Sequence, residues 1–289
     1  KVAGCLLEFG VTYRETPFAQ ALSPATVSEV LKPETRLILI QRSCGYSLRQ
    51  SLSVTQIGAL CTAIKAARPD CVIMVDNCYG EFTDTCEPTA VGADLAVGSL
   101  IKNPGGGIAP TGGYIAGRAD LVELAASRLT APGIGAEVGS SQDGYRLYYQ
   151  GLFLAPHTTA QALKSALFAA AFFAALGYPV HPTAQISRND IIQSITLGSA
   201  EKLTAFCRGL QKYSPVDSHL KPEPAPMPGY PDPVVMAGGT FVQGSSIELS
   251  ADGPLREPYA VYLQGGLTFE HSLLALLGAA AEMNGDGNS

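Results

Sequence analysis

The chain has 289 residues, of which 46% are hydrophobic and 15% charged, and it contains 31 glycines and 20 prolines. These values are typical of a compact globular protein of one large or two moderate domains, and they exclude a disordered or fibrous chain. The net charge of −6 argues against nucleic acid as a partner, because a phosphate backbone selects basic surfaces.

The seven cysteines indicate a reducing compartment, so we expect a cytoplasmic protein. Their number is odd and no two of them form a C-x-x-C pair, which fits neither a disulfide framework nor a metal-binding ribbon. The most apolar stretch, residues 162–176, contains Lys164 and is too short to span a bilayer. A buried helix is expected there, and no membrane partner.

The first part of the chain predicts a βαβ unit. Leu37–Ile40 and Cys71–Val75 are apolar runs without alternation, which is typical of parallel strands covered on both faces. Between them, Thr55–Arg68 has the apolar spacing of a helix, with Ser53 or Thr55 as its N-cap.

Short strands, a glycine-rich loop and two helices follow. The predicted strands are 95–97 and 114–116, the surface helix is 120–128, and a long helix runs from about Thr158 to Leu176 with Gly177 as its C-cap.

The composition of the sequence changes after Gly177, where prolines and polar residues indicate a domain boundary. Residues 222–233 include six prolines and are predicted to form a loop, since proline interrupts helices and strands. The other predicted elements are a strand at 191–197, a helix at 199–211, strands at Phe241, 247–249 and 259–263, and a closing helix at 269–283.

These elements predict an α/β protein with a larger domain over residues 1–157, a linking helix at 158–176 and a smaller α+β domain at 177–289. The chain begins at Lys1 without a methionine, and the sequence of residues 4–10 is typical of the middle of a domain, not of its start. We therefore expect the N-terminal part of the larger domain to be absent.

Two residues near strand ends carry the strongest chemical prediction. Asp76 follows an apolar strand, and Lys102 follows the next strand, beside the three glycines 105–107. Open α/β sheets bind ligands at the carboxyl ends of their strands, and partial desolvation there is expected to lower the pKa of the lysine and make its amine nucleophilic. Taken singly, each residue is more often a capping aspartate or a solvated lysine. Neither a P-loop nor a G-x-G-x-x-G motif is present.

The combination resembles enzymes that use pyridoxal 5′-phosphate (PLP) in the fold-type-I class. Asp76-Asn77-Cys78-Tyr79 resembles the D-x-A-Y element of that class, and Ser99-Leu100-Ile101-Lys102 resembles its S-x-T-K element, with Cys78 and Ile101 as departures. The resemblance implies that Lys102 binds PLP covalently, Asp76 contacts the pyridine nitrogen, Tyr79 the ring hydroxyl oxygen and Ser99 the phosphate.

A closer resemblance, over nearly the whole chain, is to the methionine gamma-lyase-like or aluminium-resistance family, which is related to cystathionine beta-lyases. The segments that carry it are 40–43, 75–82, 98–113, 128–135, 150–157, 214–219, 239–244 and 250–258.

The resemblance implies a fold-type-I, aspartate-aminotransferase-like fold and a carbon–sulfur lyase that acts on a sulfur-containing amino acid. Arg256 is the predicted ligand of the substrate carboxylate, because arginine binds carboxylates in a bidentate manner, and Arg42 is the second candidate. A homodimer or homotetramer is expected, and no metal site. The alternatives are another PLP enzyme, such as an aminotransferase, and a non-catalytic fold-type-I scaffold.

Overall fold

The computed structural model describes residues 5–16, 24–141, 144–238, 241–242 and 244–285. Positions 239, 240 and 243 of the family resemblance lie outside these ranges, as do the first residue of the predicted larger domain, residue 1, and the last residue of the predicted smaller domain, residue 289. The described α-helices are α1 (Pro24–Val30), α2 (Val54–Ala67), α3 (Ala119–Leu129), α4 (Tyr145–Ala175), α5 (Ala200–Lys212) and α6 (Phe269–Met283). The strands are β1 (Leu37–Gln41), β2 (Val72–Asp76), β3 (Leu95–Ser99), β4 (Gly113–Gly117), β5 (Val180–His181), β6 (Gln193–Thr196), β7 (Val234–Ala237), β8 (Ser250–Pro254) and β9 (Ala260–Gln264).

The predicted βαβ unit is confirmed. Strands β1, β2 and β3 are parallel neighbours, and β4 pairs antiparallel with β3. Helix α2 begins in a capping box in which the Ser53 hydroxyl accepts from Gln56 N, and the Gln56 side chain accepts from Ser53 N. Ile57 and Ile64 of this helix pack with Ile73 and Val75 of the sheet in one apolar cluster.

The expectation that these strands are covered on both faces is wrong for the described residues. Ile73 and Val75 are fully buried beneath α2, whereas the opposite face presents Leu37 and Leu39 with 49% and 54% of their surface exposed. Strand register places Asp76 on this more open face, because it lies opposite Gln41, two positions beyond Leu39. The chemically interesting carboxylate is therefore on the accessible side of the sheet.

Helix α4 begins earlier than predicted and ends where predicted. It continues through Pro156 to Ala175, and Gly177 has a positive φ of 86° just beyond its end. Proline disfavours the interior of a helix, although a single proline can be accommodated within a long one. No helix in the described ranges is both long and apolar enough to cross a bilayer.

A close glycine contact joins α4 to the glycine-rich loop. A methyl group on Gly151 would overlap Gly105 O, and one on Gly106 would overlap Gly151 O. The loop and the helix therefore approach through their backbones, a distance that only glycine permits. Two of the three consecutive glycines thus serve helix packing directly beside Lys102.

The second sheet has the order β5-β6-β9-β8-β7 and is antiparallel. Helices α5 and α6 and the end of α4 cover it through a cluster that includes Phe173, Phe206 and Leu276. Two strand predictions are wrong: Phe241 is 70% exposed and outside any strand, and 247–249 precedes β8 rather than forming it. Strands β5 and β7 and helix α1 were not predicted. The proline-rich segment 222–233 contains neither helix nor strand, as predicted.

The glycine contact gives the first prediction. We expect Gly151→Ala to lower the free energy of unfolding by about 1–3 kcal/mol, because the added methyl group overlaps the backbone of Gly105. Urea unfolding followed by circular dichroism measures the change. Gln150→Ala, at the neighbouring exposed position of α4, is the control and should be near neutral. Equal stability of the two variants would contradict the packing role of Gly151.

Candidate functional site

Lys102 lies against the ring of Tyr79 at the carboxyl end of the first sheet. Its Nζ is 4.1 Å from the ring centroid, a distance at which a cation is attracted to the face of an aromatic ring. Lys102 follows β3 and immediately precedes a 3-10 turn, Asn103–Gly105. Tyr79 belongs to the loop that follows β2 and is 8% exposed. Two neighbouring strands thus deliver the pair from their carboxyl ends.

Asp76 and Ser99 are the last residues of β2 and β3, and they lie on the same face of the sheet. Asp76 is opposite Val97, and Ser99 is two positions further along the strand. The Asp76 carboxylate accepts a hydrogen bond from Cys78 N at 3.1 Å, and Ser99 Oγ accepts one from Ile101 N at 3.3 Å. The structure therefore brings Asp76, Tyr79, Ser99 and Lys102 to one edge of the sheet.

The predicted lowering of the Lys102 pKa is wrong. Burial by itself lowers the pKa of the ammonium, but the neighbouring Tyr79, Cys78 and Asp76 together raise it above its ordinary value. Burial raises the pKa of the Tyr79 hydroxyl to about 12. Desolvation can be anticipated from the sequence, whereas the polar groups that stabilise the charged amine come together only in the fold. In this form of the chain, Lys102 is protonated at neutral pH.

Glu81 is a buried carboxyl group in the loop after β2, two residues beyond Tyr79. It is 3% exposed, its Oε1 accepts from the Tyr114 hydroxyl at 2.9 Å, and its Oε2 has no partner among the described residues. Gly98 provides the space, since a methyl group there would come within 2.5 Å of Glu81 Oε1. Burial raises the pKa of Glu81 to about 8, so the group is largely neutral at neutral pH.

Arg42, the second candidate for substrate binding, lies in a buried network. It is 1% exposed and donates to Leu52 O at 3.3 Å, to Asn77 Oδ1 at 2.8 Å and to Thr83 Oγ1 at 3.2 Å. An ion pair with Glu87 at 3.7 Å accompanies these bonds. The guanidinium thus fixes the loop after β2 rather than facing an open site.

Arg256, the first candidate, lies at a separate cavity of ≈ 180 Å³ that Tyr46 and Tyr262 also line. Its guanidinium pairs with Asp232 at 3.3 Å and donates to Tyr46 O at 3.4 Å. None of the four residues gathered around Lys102 lines this cavity. The structure therefore places Arg256 in a neighbouring pocket with its charge already paired.

Asp252 is a buried acid that was not predicted from the sequence. It is 6% exposed, and its Oδ2 accepts from the Tyr46 hydroxyl at 2.7 Å. Burial raises the pKa of Asp252 to about 6, with Tyr46 and the charge of Lys102 acting in the opposite direction. Tyr46 thereby links the Arg256 cavity to a carboxyl group that is electrostatically coupled to Lys102.

Asn103 and Glu81 were also missed, although both lie within the motif stretches. Asn103 directly follows Lys102, and its buried amide donates to two carbonyl groups of the loop that carries Tyr79. A polar residue adjacent to the key lysine was the available signal, but its partners, more than twenty residues away in sequence, become visible only in the fold.

Comparison with known proteins gives a consistent result. The sequence matches the profile of a family described as methionine gamma-lyase over residues 1–284. The protein YnbB of Bacillus subtilis (strain 168) is 47% identical over 279 residues, which is 96% of this chain and 66% of that protein. The chain thus spans just under two thirds of the length of this relative.

Crystal structures of two relatives superpose on the chain. A proposed cystathionine beta-lyase involved in aluminium resistance from Listeria innocua has 49% identity and a TM-score of 0.92, covering 97% of this chain and 69% of that one. A carbon-sulfur lyase involved in aluminium resistance from Clostridium novyi NT has 47% identity and a TM-score of 0.90, covering 98% and 67%.

More distant structures share the fold. A methionine gamma lyase from Micromonospora echinospora has 18% identity with a TM-score of 0.56, and an aspartate aminotransferase from Thermus thermophilus has 13% with 0.52. The predicted α/β, aminotransferase-like fold is therefore confirmed, and at this identity the likeness concerns the fold alone.

The buried Glu81 predicts a pH dependence of stability. The unfolded carboxyl ionises near its ordinary pKa of 4.5, whereas the folded one keeps its proton until about pH 8. Unfolding therefore releases a proton in this window, and stability falls as the pH rises through it, by about 5 kcal/mol in total. We expect Glu81→Gln, which cannot ionise, to flatten this decline.

Urea unfolding between pH 5 and about pH 8, followed by circular dichroism, measures the slope. Glu123→Gln on the exposed side of α3 is the control and should keep the wild-type slope. Identical slopes for Glu81→Gln and the wild-type chain would show that Glu81 is ionised in the folded state.

Proposed function

Because the chain belongs to the methionine gamma-lyase family, we propose that it is a PLP-dependent carbon–sulfur lyase acting on a sulfur-containing amino acid. The supporting observation is the Lys102 amine held 4.1 Å from the Tyr79 ring, at the strand edge that also presents Asp76 and Ser99. The names of the relatives, a carbon-sulfur lyase and a proposed cystathionine beta-lyase, agree with this reaction class.

The residues at this edge fit PLP chemically. The cofactor needs an amine for its aldehyde, a carboxylate for its pyridine nitrogen and donors for its phosphate. Lys102, Asp76 and Ser99 are the groups we assign to these roles, and Tyr79 is assigned to the ring hydroxyl oxygen. The face that carries Asp76 and Ser99 is the more open face of the sheet. When bound, PLP supplies an electron sink for the substrate α-carbon.

The chain's own residues would handle the proton and the charge. Lys102 Nζ would accept the α-proton once the amine is neutral, and the Tyr79 hydroxyl is its hydrogen-bonding neighbour. Asp76 would keep a proton on the pyridine nitrogen through its negative charge. Loss of a thiol group, followed by hydrolysis, would give an oxoacid and ammonia.

Arg256 remains our proposed ligand for the substrate carboxylate. Its present partner is Asp232, with 45% of the Arg256 side chain and 32% of the Asp232 side chain exposed. A partly exposed ion pair contributes little stability, so a substrate carboxylate could displace Asp232. The Arg256 cavity would then receive the carboxylate end of the substrate.

We further propose a cytoplasmic homo-oligomer with a larger domain at 1–157, a linking helix and a smaller domain at 177–289. All seven cysteines lie in the described ranges and are unpaired, which agrees with a reducing compartment. Apolar side chains exposed on α3 and α4 support subunit contacts, because large apolar patches mark interfaces. They are Leu124 (68% exposed), Leu129 (68%), Tyr149 (70%) and Phe153 (83%).

We expect Lys102→Ala to abolish lyase turnover and Asp76→Ala to remove most of it, because the first loses the amine and the second the charge on the pyridine nitrogen. Release of thiol and oxoacid from methionine and from cystathionine measures the activity. Lys202→Ala is the control, since Lys202 also lies over a tyrosine ring, 5.1 Å from that of Tyr178 in another part of the chain.

Full activity in Lys102→Ala would refute the proposed function. An amino-group transfer to an oxoacid without thiol release would instead indicate an aminotransferase on the same scaffold.

The raised pKa of Lys102 predicts how attachment of PLP depends on pH. Only the neutral amine reacts with the aldehyde, and the neighbours of Lys102 keep its pKa above the ordinary value of 10.5. We expect the attachment rate to rise with pH and to show no plateau below about pH 10. Stopped-flow absorbance after mixing with PLP measures the rate, and a plateau near neutral pH would show a lowered pKa instead.

A further inference from the structure

Asn103, the residue after Lys102, joins the lysine's loop to the loop that carries Tyr79. The side chain is fully buried, at 0% exposure. Its amide nitrogen donates to the backbone carbonyl of Tyr79 at 3.1 Å and to that of Glu81 at 2.9 Å. A side-chain amide has two N–H donors, so both are used on this one loop.

The loop needs such support because its backbone is unusual. Tyr79 and Phe82 have φ values of 70° and 60°, in the left-handed region that residues with a Cβ rarely adopt. Conformations of this kind persist where surrounding groups hold them. Besides Asn103, Ile191 N also donates to the carbonyl of Tyr79, at 3.2 Å.

The backbone around Lys102 is fixed from its own side. Lys102 N donates to Ser99 O at 3.3 Å, and Lys102 O accepts from Gly105 N at 3.0 Å. Ile101 O accepts from Ile247 N at 3.0 Å, which anchors the segment to residues that precede β8. The side chain of Asn103 therefore bridges a well-anchored lysine loop and a strained tyrosine loop.

We propose that Asn103 is a positioning residue, which holds the Tyr79 ring against Lys102 and thereby fixes the direction in which the amine faces the strand edge. The chemical consequence rests on the proposed function, because it concerns how the amine meets PLP. The geometry itself concerns only the chain and is testable without a cofactor.

The first test measures the pH at which Lys102 reacts with acetic anhydride, which acylates only a neutral amine. Peptide mass spectrometry reads the extent of labelling at Lys102. The Tyr79 contact contributes to the raised pKa of Lys102, whereas burial alone would lower it. Asn103→Ala removes both hydrogen bonds to the tyrosine loop, so we expect the labelling profile to move about one pH unit lower.

Gln211→Ala is the matched control, because Gln211 is another buried amide that joins two segments of the chain. Its Nε2 donates to Asp217 O at 3.1 Å, and its Oε1 accepts from Gly238 N at 3.1 Å. We expect this variant to lose stability without moving the Lys102 profile. A shift of equal size in Gln211→Ala would mean that general loosening, not positioning, controls the amine.

Tyr79→Phe keeps the ring and removes the hydroxyl group, so it should shift the Lys102 profile in the same direction. An unshifted profile in either Asn103→Ala or Tyr79→Phe overturns the inference. If Asn103→Ala does not fold, Asn103→Ser, which retains one donor, provides the same comparison with a smaller expected shift.

The second test measures the PLP concentration that gives half-maximal attachment to Lys102, trapped by borohydride. We expect an increase of about tenfold in Asn103→Ala and none in Gln211→Ala. An equal half-maximal PLP concentration in the wild-type chain and in Asn103→Ala would refute the positioning role and leave the proposed function standing. Absence of attachment in the wild-type chain would refute the proposed function, and the labelling result would still decide the role of Asn103.

Discussion

The contact between Lys102 and Tyr79 depends on a loop that could not keep its shape alone. Tyr79 has a positive φ, and its carbonyl is held by Asn103 and by Ile191. The same loop is also held by the buried Arg42, which donates hydrogen bonds to Asn77 and Thr83. Removing any one of these supports would change the surroundings of the lysine amine, and with them the pKa of Lys102.

A hydrogen bond links the first sheet to the second, and the turn beside Lys102 packs against α4. Tyr46, from the segment after β1, donates to Asp252 on β8. Asn103 is the first residue of the 3-10 turn that packs against α4. Glycines 105 and 106 permit that packing, because larger residues would overlap the backbone of the helix or of the turn itself. The three-glycine stretch therefore supports the position of the lysine loop, whatever ligand the strand edge binds.

The elements with a clear apolar pattern were predicted from the sequence. The elements that were missed contain residues that disfavour the secondary structure they adopt. The strands β1 and β2 and the Ser53-capped helix follow from pattern alone. Strand β8 contains Asp252, Gly253 and Pro254, which disfavour strands, so the apolar run 247–249 was preferred. The pKa of Lys102 was misjudged because the neighbours that raise it come together only in the fold.

The proposed function depends on Lys102 as the residue to which PLP attaches. The most direct measurement incubates the chain with PLP, reduces it with borohydride and maps the modified lysine by peptide mass spectrometry. We expect one stable adduct at Lys102, with Lys202, the other lysine over a tyrosine ring, left unmodified. An adduct elsewhere, or none at Lys102, would contradict it.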